Sequence, residues 1–217
     1  MENNPEKTER LAKRIAHAGI CSRRDAEKLI LAGDVTVNGD MITTPAFNVS
    51  KDDAIKVHGK PIFTQSKTRL WLYHKPSGLL TTNKDPEGRP TIFEHLPPGM
   101  PRVISVGRLD MSSEGLLLLT NNGDLARTLE LPDTGLARTY RVRVFGSPSP
   151  RKLKWLKDGI SINGVHYGSI EATVAQQTKS NSWLEVTLHE GKNREIRNVF
   201  GHIDHQVSRL IRTNYGP

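Results

Sequence analysis

Residues 105–124 read SVGRLDMSSEGLLLLTNNGD, and this stretch decides the fold of the larger part of the chain. An apolar strand pattern at 103–106 breaks at Gly107 into a loop, and an apolar run returns at 116–119. The loop holds Arg108 and Asp110. Charge between two core strands costs desolvation unless it is paired or hydrated, and loops on a rigid scaffold often carry chemistry. On spacing alone, however, an Arg-x-Asp turn is more often a satisfied surface pair.

The chain carries an excess of positive charge. Its 217 residues include 31 Lys and Arg against 23 Asp and Glu, which gives a formal net charge of +8. This balance favours polyanionic partners, with nucleic acid first among them. Because Cys21 is the single cysteine, no intrachain disulfide can form, and the expected compartment is the cytoplasm.

The sequence predicts neither a membrane segment nor a cofactor. No apolar run approaches the roughly 20 residues that cross a bilayer, and residues 1–6 do not resemble a signal peptide. His202 and His205 lie close together but lack a third convergent ligand, so a metal site is not expected. The sequence also has no glycine-rich loop of the nucleotide-binding kind.

Residues 1–60 predict a small module of two helices and short strands. Apolar residues recur at helical spacing near the N-terminus, and a second helix is expected between an N-cap at Ser22 and Ala32. Alternation around Asn38 and Gly39 predicts a β-hairpin. A module of this size can be compact, although its core is small.

A second and larger domain is expected after residue 68. Pro61 cannot donate a hydrogen bond to a sheet, so residues 61–68 are interpreted as a linker and 69–217 as the second domain. Residues 139–145 alternate cleanly, which predicts a strand with Tyr140 on its apolar face. On pattern alone, that tyrosine belongs to the core.

Four strings in the larger domain resemble motifs of the bacterial RNA pseudouridine synthases, in the branch that modifies ribosomal RNA (the RsuA/RluB family). The first module resembles the S4 RNA-binding domain. The triplet at 193–195 makes the chain most like the large-subunit type, pseudouridine synthase B. The matching strings are KPSG at 75–78, GRLD at 107–110 with GLLLLT at 115–120, RTY at 138–140 and EGKNREIR at 190–197, and for the S4 resemblance RLAK at 10–13, SRRDAEKLI at 22–30 and GDVTVNG at 33–39.

The resemblance implies an α+β fold. A small S4-type RNA-binding domain would be followed by a larger pseudouridine synthase domain, built on a mixed, mainly antiparallel sheet with flanking helices. Members of the family usually continue beyond the position of Pro217, so a longer chain is expected, and a monomer is the default expectation.

The resemblance also implies four catalytic residues. Asp110 matches the essential aspartate, and Arg197 matches the basic residue that pairs with it. Tyr140 matches a tyrosine that packs over the target uracil. Arg108 would occupy the space left by the flipped base or brace its loop. The aspartate would act as a nucleophile on the sugar or the pyrimidine, or as a base on a sugar proton, and the sequence does not choose among these roles.

RNA contacts are implied for basic residues in both domains. On the helices of the first module these are Arg14, Arg23, Arg24 and Lys28, although an ordinary solvated helix face is the alternative. In the larger domain Lys75 would support the active-site loop or meet the RNA backbone, and Lys192 and Arg194 would face phosphate. Trp155 is expected to pack rather than to stack on a base.

The expected function is therefore the site-specific isomerisation of uridine in ribosomal RNA, with the large-subunit RNA as substrate and base flipping as a step. Ribosome assembly intermediates are a second possible form of the substrate. Two alternatives come from other classes: a non-catalytic RNA-binding or ribosome-assembly factor, and an RNA chaperone that needs only the first module. Small-subunit RNA is the alternative substrate.

Overall fold

The computed structural model describes residues 8–63 and 67–216. The chain forms two compact units. The first comprises the chain up to Arg69 together with Gly99–Ile104 and Asn121–Gly123, and the second comprises Leu70–Pro98, Ser105–Thr120 and Asp124–Pro217. Residues 64–66 of the predicted linker lie outside the described residues.

The described residues of the first unit form two helices and six short strands. Four strands form an antiparallel sheet in the order β3-β2-β5-β6, and β1 pairs with β4. Their bounds are β1 Glu9–Arg10, α1 Leu11–His17, α2 Arg23–Leu31, β2 Val35–Val37, β3 Asp40–Met41, β4 Asn48–Val49, β5 Ile55–Val57 and β6 Lys60–Pro61.

Local signals in this unit act as the sequence predicts. The hydroxyl of Ser22 accepts a hydrogen bond from the backbone N–H of Asp25, so Ser22 is the N-cap of α2. Asn38 and Gly39 both have positive φ, at 55° and 100°, as the tight turn of a hairpin requires. The helices and strands bury one apolar cluster: Leu11, Ala12, Ile15, Ala26, Ile30, Val35, Val37, Ile42, Val49, Ile55 and Val57.

Pro61 differs from the expectation that it would weaken the strand pairing. His58 and Gly59 have φ values of 49° and 73° and close a second tight turn. As a result Lys60 pairs with Val57, and Pro61 pairs with Lys56 at the end of the sheet. Proline is tolerated there because β6 is an edge strand, where its missing N–H leaves no partner unsatisfied.

The second unit is built on one broad sheet. The strand order is β13-β14-β10-β15-β9-β7, with β8 pairing to β9. The elements that lie wholly or partly in this unit are β7 Leu70–Lys75, β8 Ile104–Ser105, β9 Glu114–Thr120, α3 Gly123–Glu130, β10 Arg138–Phe145, α4 Pro150–Trp155, β11 Ile160–Ile162, β12 Val165–Tyr167, β13 Ile170–Gln177, β14 Asn181–Leu188, α5 Glu195–His202 and β15 Val207–Tyr215.

The predicted mixed, mainly antiparallel sheet is confirmed. Along the main strand path only β15 and β9 run parallel, and the other four neighbouring pairs run antiparallel. Where β15 pairs with β9, Arg212 lies opposite Gly115, and a Cβ on Gly115 would lie 2.2 Å from the carbonyl oxygen of Arg212, so only glycine fits. Strand β10 alternates as expected, with Tyr140 buried and Arg141 exposed.

Two expectations for this unit need correction. Trp155 is 57% exposed, and the guanidinium of Arg151 lies 5.2 Å above its ring, so it is not a core residue. Strand β12 was not expected, although Asn163 and Gly164, with φ values of 50° and 79°, form the same kind of turn as in the first unit. Over the described ranges, no helix is long and apolar enough to cross a membrane.

Candidate active site

A cavity of about 1110 Å³ opens in the second unit. Three chain segments form its walls, at residues 80–89, 105–113 and 188–196, and strands β10 and β15 form its floor. Asp110, Arg108, Tyr140, Lys192 and Arg194 of the predicted site residues all line this cavity. Residues that are 84 positions apart in the sequence, Asp110 and Arg194, thus share one space.

The loop that carries Asp110 is fixed by backbone contacts at several points. The hydroxyl of Thr81 donates to the carbonyl of Leu109 at 2.9 Å and accepts from its N–H at 3.3 Å. The N–H of Gly107 donates to Glu130 Oε1 at 2.7 Å. Gly107 has a φ of 66°, where glycine has little steric cost. These contacts hold the loop without using the Asp110 carboxylate.

Lys75 lies beneath this loop rather than at the surface. It is fully buried, and its Nζ donates to the carbonyl oxygens of Pro76, Met111 and Ser113 at 3.0, 3.3 and 2.8 Å. Burial lowers the pKa of Lys75 to about 8, against the opposing influence of Asp110 and Glu114. The RNA-binding assignment of Lys75 is therefore wrong, because a side chain without exposed surface cannot reach a phosphate.

Arg197 approaches Asp110 from helix α5. Its Nε lies 3.9 Å from Asp110 Oδ2, and its two terminal nitrogens donate to the carbonyls of Val207 at 3.2 Å and Ser112 at 3.3 Å. At 3.9 Å the contact with Asp110 is electrostatic and too long for a hydrogen bond. Burial lowers the pKa of Arg197, while Asp110 opposes that shift. The pair places one positive charge beside the carboxylate in a partly dry site.

Tyr140 and Arg108 occupy different positions in the cavity. Tyr140 is 8% exposed and faces the cavity from β10, opposite Arg212 on β15. Arg108 is exposed on the loop, two residues before Asp110. A buried aromatic ring in a cavity that also contains a carboxylate suits a planar base, and an exposed guanidinium is accessible to a polyanion.

Two buried arginines in the cavity floor were missed by sequence reasoning. The guanidinium groups of Arg138 and Arg212 both contact the Tyr215 ring, 4.9 and 5.0 Å from its centroid. Arg138 donates to the carbonyl of His189 and to the Tyr215 hydroxyl, while Nη2 of Arg212 has no hydrogen-bond partner within the described part of the chain. The alternation of β10 could have identified Arg138, because it lies two residues before Tyr140 and so on the same face.

The wall at 190–195 carries charge of both signs. Lys192 and Arg194 are exposed, and Lys192 forms an ion pair with Glu190. Glu195 is buried, and burial together with the nearby Glu190 raises its pKa to about 7. Arg194 has a φ of 50°, a left-handed conformation that a side chain such as arginine rarely adopts.

The basic residues predicted in the first unit fall into two groups. The side chain of Arg14 is only 11% exposed and is bonded to Glu9 and to the carbonyl of Ser50, so its assignment to RNA binding is wrong. Arg23, Arg24 and Lys28 on α2 are exposed. Lys28 lies 3.4 Å from the Asp25 carboxylate in an exposed pair, which contributes little to stability.

Comparison with known proteins gives two matching families. The family model for RNA pseudouridylate synthase matches residues 69–202, and the model for the S4 domain matches residues 9–55. Among the described residues, no group of three or more histidine, cysteine or acidic side chains could hold a metal ion.

Curated relatives match along nearly the whole chain. An uncharacterized RNA pseudouridine synthase of Rickettsia bellii is 56% identical, with 96% of this chain and 90% of the relative covered. The ribosomal large subunit pseudouridine synthase B of Buchnera aphidicola is 38% identical, with coverage of 96% and 86%. A crystal structure of a pseudouridylate synthase has the same fold, with a TM-score of 0.66 at 23% identity, over 95% of this chain and 88% of that one.

Proposed function

The chain belongs to the RNA pseudouridine synthases of the RsuA/RluB family, in which an S4 domain precedes the catalytic domain, and we propose that its substrate is the large-subunit ribosomal RNA. It is an isomerase, and its S4 domain binds RNA. Relatives named large-subunit synthase B, at about 40% identity, support the choice of substrate. We place the reaction in the cytoplasm, where such RNA is available.

The observation that carries the proposed site is the Asp110 carboxylate, which lines a large cavity and faces the Arg197 guanidinium at 3.9 Å. The reaction detaches uracil from its ribose, rotates it and rejoins it through carbon. Atoms of a stacked nucleotide are inaccessible, so the target uridine must be flipped into the cavity. No net redox change or group transfer takes place, and the chemistry therefore needs no cofactor.

Asp110 is the group that reacts with the flipped nucleotide. The Arg197 guanidinium places a positive charge 3.9 Å from this carboxylate. Three roles fit this placement: attack on the sugar, attack on the pyrimidine, and removal of a sugar proton. In each role the loop contacts of Leu109 and Gly107 keep the carboxylate in place through the rotation of the base.

Tyr140 and Arg108 act on the base and on the space that it leaves. The Tyr140 ring packs against the uracil, and its hydroxyl is the group in the proposed site suited to removing the proton from carbon five. Arg108 lies exposed at the rim, where it can fill the gap in the RNA stack or hold a phosphate.

RNA outside the cavity is held by exposed cations of both units. On α2 these are Arg23, Arg24 and Lys28, and on the cavity wall they are Lys192 and Arg194. Contacts of this kind bind the phosphate backbone, so they give affinity that falls with salt and little sequence preference.

The test is tritium release from RNA labelled at uracil carbon five, with this chain and an Asp110→Asn variant of equal thermal stability. Large-subunit and small-subunit ribosomal RNA transcripts serve as parallel substrates. We expect release from the large-subunit RNA with the wild-type chain, and a loss of at least about 1000-fold with the variant.

Equal release by the two proteins would remove Asp110 from the mechanism. Release from the small-subunit RNA alone would overturn the choice of substrate while leaving the family unchanged. RNA affinity without release from either transcript would favour the non-catalytic alternative.

A further inference from the structure

Two guanidinium groups lie buried in the floor of the cavity. Arg138 on β10 is 6% exposed and Arg212 on β15 is 4% exposed, and both line the cavity. Nε of Arg212 donates to the carbonyl of Leu116 at 2.7 Å. Arg138 donates to the carbonyl of His189 at 3.0 Å and to the Tyr215 hydroxyl at 3.1 Å. All of these acceptors are neutral groups.

Neither cation has a carboxylate partner within residues 8–63 and 67–216, and Nη2 of Arg212 is buried there without a hydrogen-bond partner. Burying a charge costs free energy that a counter-charge normally offsets. Two buried cations on one aromatic ring therefore indicate a place suited to negative charge that a ligand brings. The carboxylates that line the cavity have other partners: Asp85 pairs with Arg89, Asp110 with Arg197 and Glu190 with Lys192, while Glu130 and Glu195 accept from the N–H groups of Gly107 and Lys192.

Both cations are neighbours of Tyr140 in the sheet. Arg212 lies directly opposite Tyr140 in the pairing of β15 with β10, which places their Cβ atoms about 5 Å apart. Arg138 lies two residues before Tyr140 on the same face of β10, about 7 Å along the strand. A base that packs on the Tyr140 ring is therefore close to both positive charges, which act over several ångströms in a partly dry cavity.

The reaction creates negative charge on the base. When Asp110 attacks the sugar, or removes a sugar proton whose C–H electron pair displaces the base, the bond between C1′ and N1 breaks with its electron pair on uracil, which becomes a monoanion. When Asp110 attacks the pyrimidine, the displaced ring pair forms an enolate. In each case the charge is used when carbon five bonds to C1′, after which carbon five loses its proton and N1 gains one.

Resting on the proposed function, we propose that Arg138 and Arg212 stabilise the negative charge that forms on the uracil ring as it is detached. Fixed charges in a buried site stabilise such an intermediate without reorganising at the moment of reaction. The exposed cations Arg108, Lys192 and Arg194 suit the phosphates, which stay with the RNA backbone. The buried cations of the floor suit the part of the nucleotide that enters deepest, which is the base.

The experiment compares Arg212→Gln and Arg212→Lys with the wild type, by single-turnover tritium release and by the dissociation constant of the ribosomal RNA transcript. Glutamine can still donate to the carbonyl of Leu116 but has no charge, whereas lysine keeps the charge. We expect the rate to fall about 100-fold in the glutamine variant, with RNA affinity within about twofold of wild type. The lysine variant should stay within about tenfold of the wild-type rate.

Arg209→Gln is the matched control, because it removes an exposed guanidinium, paired with Glu114, from the same strand. Its rate and RNA affinity should stay close to wild type. Arg138→Gln should lose rate as Arg212→Gln does, and it replaces that variant if Arg212→Gln does not fold. Equal losses with glutamine and lysine, weaker RNA binding at an unchanged rate, or a wild-type rate in the glutamine variants would each overturn the proposal.

A binding measurement without RNA separates this proposal from the proposed function. 5-Nitrouracil is a monoanion at neutral pH, and thymine is a neutral base of similar shape. By difference absorbance, the Asp110→Asn chain should bind 5-nitrouracil more tightly than thymine, and adding Arg212→Gln should weaken 5-nitrouracil about tenfold and leave thymine unchanged. This result would stand even if large-subunit RNA were not the substrate, whereas equal effects on the two bases would refute the stabilisation of an anion.

Discussion

Residues 107–113 and 190–195 both line the cavity, but different bonds hold them in place. The segment with Asp110 is tied by Thr81, by Glu130 and by the buried ammonium of Lys75, all acting on backbone groups. The segment with Arg194 is tied by two hydrogen bonds, from the N–H of Lys192 to Glu195 and from the N–H of Gly168 to Glu190. In the proposed mechanism, the chemistry depends on the first wall, residues 107–113, which is held by many contacts. RNA binding is assigned to the second wall, residues 190–195, which is held by few.

The two walls also differ in the residue that adopts the left-handed backbone conformation. The first has Gly107 at a φ of 66°, where the conformation has little cost. The second has Arg194 at 50°, where a side chain is strained. The turn of the first wall therefore has no side chain at its left-handed position. The second wall has the strained conformation but places the Arg194 guanidinium at the cavity.

The largest expected effect comes from the first wall, through Lys75→Met. The methionine fills the space but leaves three carbonyl oxygens without their donor, so we expect a loss of about 2 kcal/mol in the free energy of unfolding. The loop would shift and kcat should fall about 100-fold. Denaturant unfolding and single-turnover kinetics measure the two effects.

The exposed Lys157 provides the control, since Lys157→Met changes the same atoms at the surface. It should leave both quantities close to wild type. If Lys75→Met kept full kcat, the other contacts of the Asp110 loop would be sufficient to hold it. The two walls would then differ less in the number of contacts that they need.

A smaller effect is expected from the second wall, in the pH dependence of stability. In the unfolded chain Glu195 ionises near 4.5, and in the folded chain near 7. Between these values the unfolded chain has released a proton that the folded chain retains, so the free energy of unfolding falls as pH rises and levels off above 7. Glu190 shifts in the opposite direction, but its contribution changes only below pH 4.5, outside this window, so the fall is set by Glu195 and amounts to about 2 kcal/mol.

Glu195→Gln removes the titration, so its stability should exceed that of the wild type by a margin that grows from pH 4.5 to 7. Urea unfolding of both proteins at several pH values measures this margin. Parallel curves for the two proteins would mean that the ionisation of Glu195 does not contribute to the pH dependence of stability.

Local sequence patterns predict the caps, turns and strands of the fold, but not the contacts between distant residues in the site. The cap at Ser22, the turn at Asn38 and the alternation around Tyr140 depend on neighbours within a few residues, so their patterns predict them. The resemblance to known motifs predicted that Asp110 and Arg197 meet, which spacing alone could not do because 87 residues separate them.

Burial of individual charged residues is what the sequence failed to predict. Arg14 was expected on an exposed helix face, and Lys75 was expected either to support the active-site loop or to meet the RNA backbone, yet both are bonded to carbonyl groups inside their units. Arg138 was quoted only as part of the RTY string and Arg212 was not mentioned, so neither was given a role in the site. Whether a lysine or an arginine is buried depends on carbonyl partners 36 or more residues away, and these partners become known only when the fold is complete.

The smallest effect is expected from Arg194→Gly, which separates strain from binding on the second wall. Glycine relieves the left-handed conformation, so the free energy of unfolding should rise by about 0.5 to 1 kcal/mol. RNA affinity should fall about fivefold, because one phosphate contact is lost. Arg194→Ala loses the same contact but keeps the strain, so it should match the affinity of the glycine variant without its gain in stability. If both variants were equally stable, the backbone at Arg194 would not be strained. The left-handed conformations at Gly107 and Arg194 would then not differ in energetic cost.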